Sequence, residues 1–180
     1  MWPTAAASLL ALAQAEAADP AQGIDRIAER RAEAILAGPI WESLAACPGA
    51  PDPLARALVA VESDARPGWV RGLELGWARA VMRTTGDAPD LTLGPAQIRV
   101  SKARALRPDL DDDALLAALS EPCAALDLAE DLLDAENAGD EESAIRAWRG
   151  LEDQHPSRDR PGDRLYAAIA LRLAAAASQE

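Results

Sequence analysis

The sequence predicts an all-α fold, and three observations carry that reading. Alanine and leucine dominate a chain of 180 residues that contains no Phe and few β-branched residues. Ala and Leu cost little in a helix, whereas strands favour β-branched and aromatic side chains. Apolar residues also recur at helical spacing, and Pro, Gly and Asp fall between the apolar runs, where helices start and stop. The length suffices for one domain with a sizeable core. Residues 20–174 read as that domain, without an internal repeat.

The elements follow in order. Residues 1–18, "MWPTAAASLLALAQAEAA", hold an apolar run from Ala5 to Ala13 and then Ala-x-Ala steps. They are either a secretory signal peptide or an Ala-rich N-terminal helix, and no Lys or Arg precedes the run. "PAQGIDRIAERRAEAILAG" places Ile24, Ile27, Ala28, Ala34 and Ile35 at helical spacing and closes on Gly38-Pro39. "PIWESLAAC" is a short helix ended by the turn "PGAPDP". Asp52 and Pro53 form an N-cap and first-turn pair for "PLARALVAVES", in which Leu54, Leu58 and Val61 share one face. Trp69, Leu73 and Trp77 line one face of the next segment, which Gly72 and Gly76 weaken. "TTGDAPD" is turn-rich, and "TLGPAQI" is a loop or short turn. Then come "VSKARALRP" with Ser101 as its cap, a helical stretch from Asp111 broken near "SEP", and "DEESAIRAWRGL". A proline-rich loop leads to a last helix, "RLYAAIALRLAAAA".

Charge and composition exclude several function classes. A net charge of -12 opposes nonspecific binding to nucleic acid or to an anionic membrane, both of which need a positive field. A locally basic cleft is still compatible with it, because Arg66, Arg71, Arg79 and Arg83 stand against one acid, Glu74, in the segment from Ala65 to Arg83. No stretch is long and apolar enough to span a bilayer. Cys47 and Cys123 lack metal-site spacing; they are either two buried small side chains or one disulfide. With one His, His155 in a loop, neither a zinc site nor a Ser-His-Asp triad is expected, and no metal or cofactor is expected.

Glu62 stands one turn after Leu58, so it borders the buried face of its helix and does not point opposite to it. Together with Glu62-Ser63, the order of the later motifs resembles the lysozyme-like fold of soluble lytic transglycosylases and goose-type lysozymes. That family has a helix ending in Glu-Ser and then a Gly-Leu-Met-Gln-Ile loop. An intervening helix, an Ala-Tyr-Asn-x-Gly segment and a Tyr on the last helix follow. Here Gly94-Pro95-Ala96-Gln97-Ile98 stands for the loop, "EPCAALDLAEDLL" for the intervening helix, "AIRAWRG" for the Ala-Tyr-Asn segment and Tyr166 for the terminal Tyr. The resemblance covers roughly residues 50–172. It implies a peptidoglycan lytic transglycosylase, periplasmic or secreted, that acts on glycan strands without a cofactor. Glu62 would be the catalytic acid and base, and Ser63, Gly94, Gln97, Ile98, Trp148, Arg149 and Tyr166 the substrate-binding set. The chain departs from the family in three places: a longer spacer between Glu62 and Gly94, Pro95-Ala96 in place of Leu-Met, and Trp148-Arg149 in place of Tyr-Asn.

The chemistry fits those residue types. Cleaving a β-1,4 glycosidic bond needs a proton delivered to the leaving oxygen as positive charge grows on the sugar carbon. A carboxyl group holds that proton near neutral pH when apolar neighbours penalise its charged form, and Glu62 is placed for this. The plain alternative is a solvated glutamate in the last turn of a helix. Gly94 would let backbone approach a sugar, and Gln97 offers both donor and acceptor, or else caps its own loop. Ser63 holds the glutamate, contacts sugar or caps a turn. Tyr166 hydrogen-bonds the carboxyl or sits in the core. Trp148 reads as core packing, as do Trp69 and Trp77, for which a saccharide groove and a membrane surface are the alternatives. A second carboxylate would come from Asp64, Asp87 or Asp90, and turn chemistry explains the last two equally well. A hydrolytic muramidase using water positioned by Asp87 or Asp90 is the second reading. A glycan-binding or partner-binding module without turnover is the third.

Overall fold

The computed structural model describes residues 20–136, 139–151 and 160–180, so residues 1–18 and His155 lie outside the described residues. Nine helices and two short strands make up the described fold: α1 (Pro20–Leu36), α2 (Pro39–Ala45), α3 (Pro53–Ala65), α4 (Gly68–Thr85), β1 (Thr92–Leu93), β2 (Ile98–Arg99), α5 (Val100–Leu106), α6 (Asp112–Ser120), α7 (Pro122–Glu136), α8 (Glu141–Trp148) and α9 (Pro161–Ala177). The all-α expectation holds. The one addition is the pair β1–β2, antiparallel with Thr92 opposite Arg99 and Leu93 opposite Ile98.

The caps explain where several helices begin. Asp52 accepts from the Ala55 N–H at 2.8 Å and Asp111 from the Ala114 N–H at 2.8 Å, which satisfies first-turn donors that have no intrahelical partner. Ser101 is not the cap of α5. It lies inside the first turn, and its own N–H donates to Asp90 Oδ1 at 2.9 Å. A side chain from the preceding loop therefore does the capping.

At the centre lies α3. Every residue from Leu54 to Val61 is buried, because α1, α2, α7 and α9 surround it. The expected single apolar face is thus too narrow a description. Small Ala55, Ala57 and Ala60 let neighbours approach on the remaining sides. Arg56 is buried with them: it ion-pairs Glu180 Oε2 at 2.5 Å and stacks on the Trp41 ring at 3.8 Å, which fastens the C-terminal end against α2 and α3. Cys47 and Cys123 form a disulfide that joins the end of α2 to the first turn of α7. No helix among the described residues is long and apolar enough to cross a membrane.

Candidate functional site

The site starts from the last turn of α3, where Glu62 emerges half-buried. Tyr166 on α9 donates its hydroxyl to Glu62 Oε1 at 3.0 Å, a contact between residues 104 positions apart. Burial, above all, pushes the Tyr166 hydroxyl well above its ordinary value. The Glu62 charge and the hydrogen bond to it act in the same direction, against smaller opposite effects of Arg149 and Trp148. The phenol therefore stays protonated and remains a donor. The Arg149 guanidinium lies over the Tyr166 ring at 4.7 Å and donates to Asp163 Oδ1 at 3.1 Å, so the ring is also held across one face.

The loop between β1 and β2 is pinned to the same helix end. Ser63, buried, donates its hydroxyl to the Pro95 carbonyl at 3.1 Å. Gly94 has φ +73, and a Cβ there would lie 1.6 Å from the Leu119 carbonyl oxygen. Only glycine lets this backbone cross the end of α6. Gln97 also has positive φ, 51°, an uncommon conformation for a residue with a side chain. Its amide compensates locally: Nε2 donates to the Gly94 carbonyl at 2.9 Å, and Oε1 accepts from the Thr92 hydroxyl at 3.2 Å.

These elements enclose a cleft of about 370 Å³. Of the expected site residues, Glu62, Gln97, Ile98, Trp148 and Arg149 line it. Tyr166 is tied to it through Glu62. Ser63 and Gly94 are not among its lining residues. Ser63 holds the loop instead, and Gly94 is required by Leu119. Trp148, expected as core packing, does both jobs: it packs on the core and faces the cleft. Trp69 and Trp77, also expected in the core, are exposed and lie outside the cleft.

Sequence reasoning missed Arg99 and Lys102, while Arg66 fell within the basic segment it singled out. All three line the cleft with Arg149. Each of these cations is backed by an acid that is not part of the lining: Arg66 by Glu74, Arg99 by Asp90 at 3.6 Å, Lys102 by Glu136 at 2.9 Å and Arg149 by Asp163. Among the described residues, Glu62 is the one carboxylate in the lining. Asp64 turns away to pair with Arg31 at 2.5 Å, where burial raises its carboxyl against the opposing pull of Arg31. The Ser101 N–H holds the Asp90 carboxyl below its ordinary value, and Asp87 is exposed in its turn. None of the three supplies a second carboxylate here.

No protein family, curated protein or solved structure matches the chain.

The cleft itself is therefore the guide to function. A larger cavity, about 820 Å³, opens beside Asp52, Glu130 and Asp140. There Asp52 and Asp140 cap helices and Glu130 accepts from the Asp52 N–H at 2.7 Å. That leaves those groups structural work. Among the described residues, no group of three His, Cys, Asp or Glu side chains could hold a metal ion. The smaller cleft has what acid–base chemistry requires: one half-buried carboxyl, a fixed donor behind it, and amide, indole and guanidinium groups facing it.

Proposed function

We propose that the chain is a peptidoglycan lytic transglycosylase on a lysozyme-like helical scaffold, acting in the periplasm or outside the cell. The observation that carries this reading is the Glu62–Tyr166 pair at the wall of a cleft that has no other carboxylate among its described lining residues. Glu62 donates its proton to the glycosidic oxygen as the bond from that oxygen to C1 of the muramyl sugar breaks. The resulting carboxylate then takes the proton of the muramyl 6-hydroxyl, whose oxygen closes on C1 as a 1,6-anhydro ring. The proton lost in the first step returns in the second, so one carboxyl suffices and no water is consumed. Tyr166 acts as a positioning residue that holds Oε1 through both steps. Gln97 and Arg149 supply polar contacts to the sugar, and Trp148 an apolar face. The disulfide fits an oxidising compartment.

The absence of Asp64, Asp87 and Asp90 from the cleft lining favours this route over the hydrolytic one, which needs a group to activate water. Digestion of purified peptidoglycan by wild type and by Glu62→Gln tests the reading. The expected result is anhydro-muramyl ends from wild type and a loss of at least about a hundredfold in the variant. Reducing ends would replace the lytic route by hydrolysis. Equal clearing by both proteins would remove Glu62 from the chemistry.

A further inference from the structure

Helix α4 is turned outward. Its inner side, Ala78 with Leu75 and Met82, packs on the core. Its outer side carries Trp69, Leu73 and Trp77 at i, i+4 and i+8, exposed to 65%, 65% and 57%. Ala80 continues that side. Two indoles and a leucine on one stripe form an apolar surface that a soluble helix normally buries.

One edge of the stripe is basic. Arg79 and Arg83 stand one turn apart beside it, and among the described residues neither has an ion-pair partner or a hydrogen bond from its side chain. The other charged groups near the start of α4 are engaged elsewhere. Arg66 pairs with Glu74, the single acid of α4, and Arg71 donates to the Ser63 and Arg66 carbonyls at 2.9 and 2.8 Å. A chain of net charge -12 thus offers uncompensated positive charge next to exposed indoles. Indoles settle at the level of lipid headgroups, and arginine stems lie along apolar surface while their heads reach phosphate.

We infer that α4 is a docking helix for an anionic lipid bilayer. It seats Trp69, Leu73 and Trp77 among the headgroups, with Arg79 and Arg83 on lipid phosphates. The acidic remainder of the molecule is repelled by the same surface, so it orients with α4 down. Arg71 and the Arg66–Glu74 pair tie α4 to the end of α3, and docking therefore fixes the direction in which the cleft faces. This inference is independent of the reaction proposed for the cleft.

The test is cosedimentation of the full chain with vesicles of phosphatidylcholine alone and with added phosphatidylglycerol, read together with indole emission. Wild type is expected on the anionic vesicles, with a blue-shifted emission, and not on the neutral ones. Trp69→Ser with Trp77→Ser should weaken binding at least about tenfold. Arg79→Gln with Arg83→Gln should weaken it about 25-fold on anionic vesicles, roughly fivefold for each charge. Thermal unfolding should stay unchanged in both variants, since all four side chains are solvent-facing or partly so. Three results would each overturn the inference. The first is no binding to either vesicle. The second is undiminished binding by both variants, which would place the contact elsewhere on the chain. The third is a wild-type dimer that Trp69→Ser with Trp77→Ser dissociates, which would make a second copy the occupant.

Discussion

Removing the Tyr166 hydroxyl isolates the contact between α9 and the proposed catalytic carboxyl. In Tyr166→Phe the ring remains, and with it the Arg149 contact at 4.7 Å, so packing is conserved and only the 3.0 Å hydrogen bond is lost. A hydrogen bond to a charged group contributes about 1.5–3 kcal/mol. Glu62 is half-buried and opens on the cleft, where water can take the vacated place, so the lower end applies. About 1.5 kcal/mol corresponds to roughly a tenfold fall in turnover. Clearing of purified peptidoglycan measures it, with thermal unfolding to verify the fold. The same substitution made in Glu62→Gln should change the residual rate by less than about twofold, because both residues act through the one carboxyl group. Turnover of Tyr166→Phe at the wild-type rate would refute the reasoning, and so would an equal loss in both backgrounds.

The remaining predictions concern what holds the site in place. Gly94→Ala should cost about 3 kcal/mol, from the left-handed φ of +73 and the collision with the Leu119 carbonyl, and lower Tm by about 6–12 °C. Gly86→Ala, at φ +91 with nothing within 4 Å, carries only the conformational part, about 1–2 kcal/mol. Equal losses in a melting experiment would show that the Leu119 contact is unimportant. Reduction of Cys47–Cys123, which spans 76 positions, should lower unfolding free energy by about 4.5 kcal/mol on loop entropy alone. A urea midpoint that does not move with reductant would contradict it.

Much of the framework was legible because it is local. The cap at Asp52, the apolar spacing of Leu54, Leu58 and Val61, and the prolines that open α2 and α3 all act within one or two helical turns. Glu62 at the end of α3 belongs to the same class of information. The spacing of Trp69 and Trp77 was read correctly as a shared face, but periodicity states that residues point together and not which way they point. Packing of Ala78, Leu75 and Met82 on the core decided that the indoles face out.

The site was settled by tertiary structure. The glycine at 94 is demanded by a carbonyl at position 119, and the serine at 63 by one at position 95. The fourfold cationic lining comes from three distant stretches of the chain, around Arg66, from Arg99 to Lys102, and at Arg149, and the pairing of Glu62 with Tyr166 joins two distant helices. Whether Cys47 and Cys123 are two buried thiols or one bond was equally beyond a count of cysteines. By itself the sequence determined which stretches coil and where they stop, because backbone propensity and capping reach only a few residues. The helix packing around α3 decided which distant side chains meet, because side-chain contacts require faces to be brought together in space.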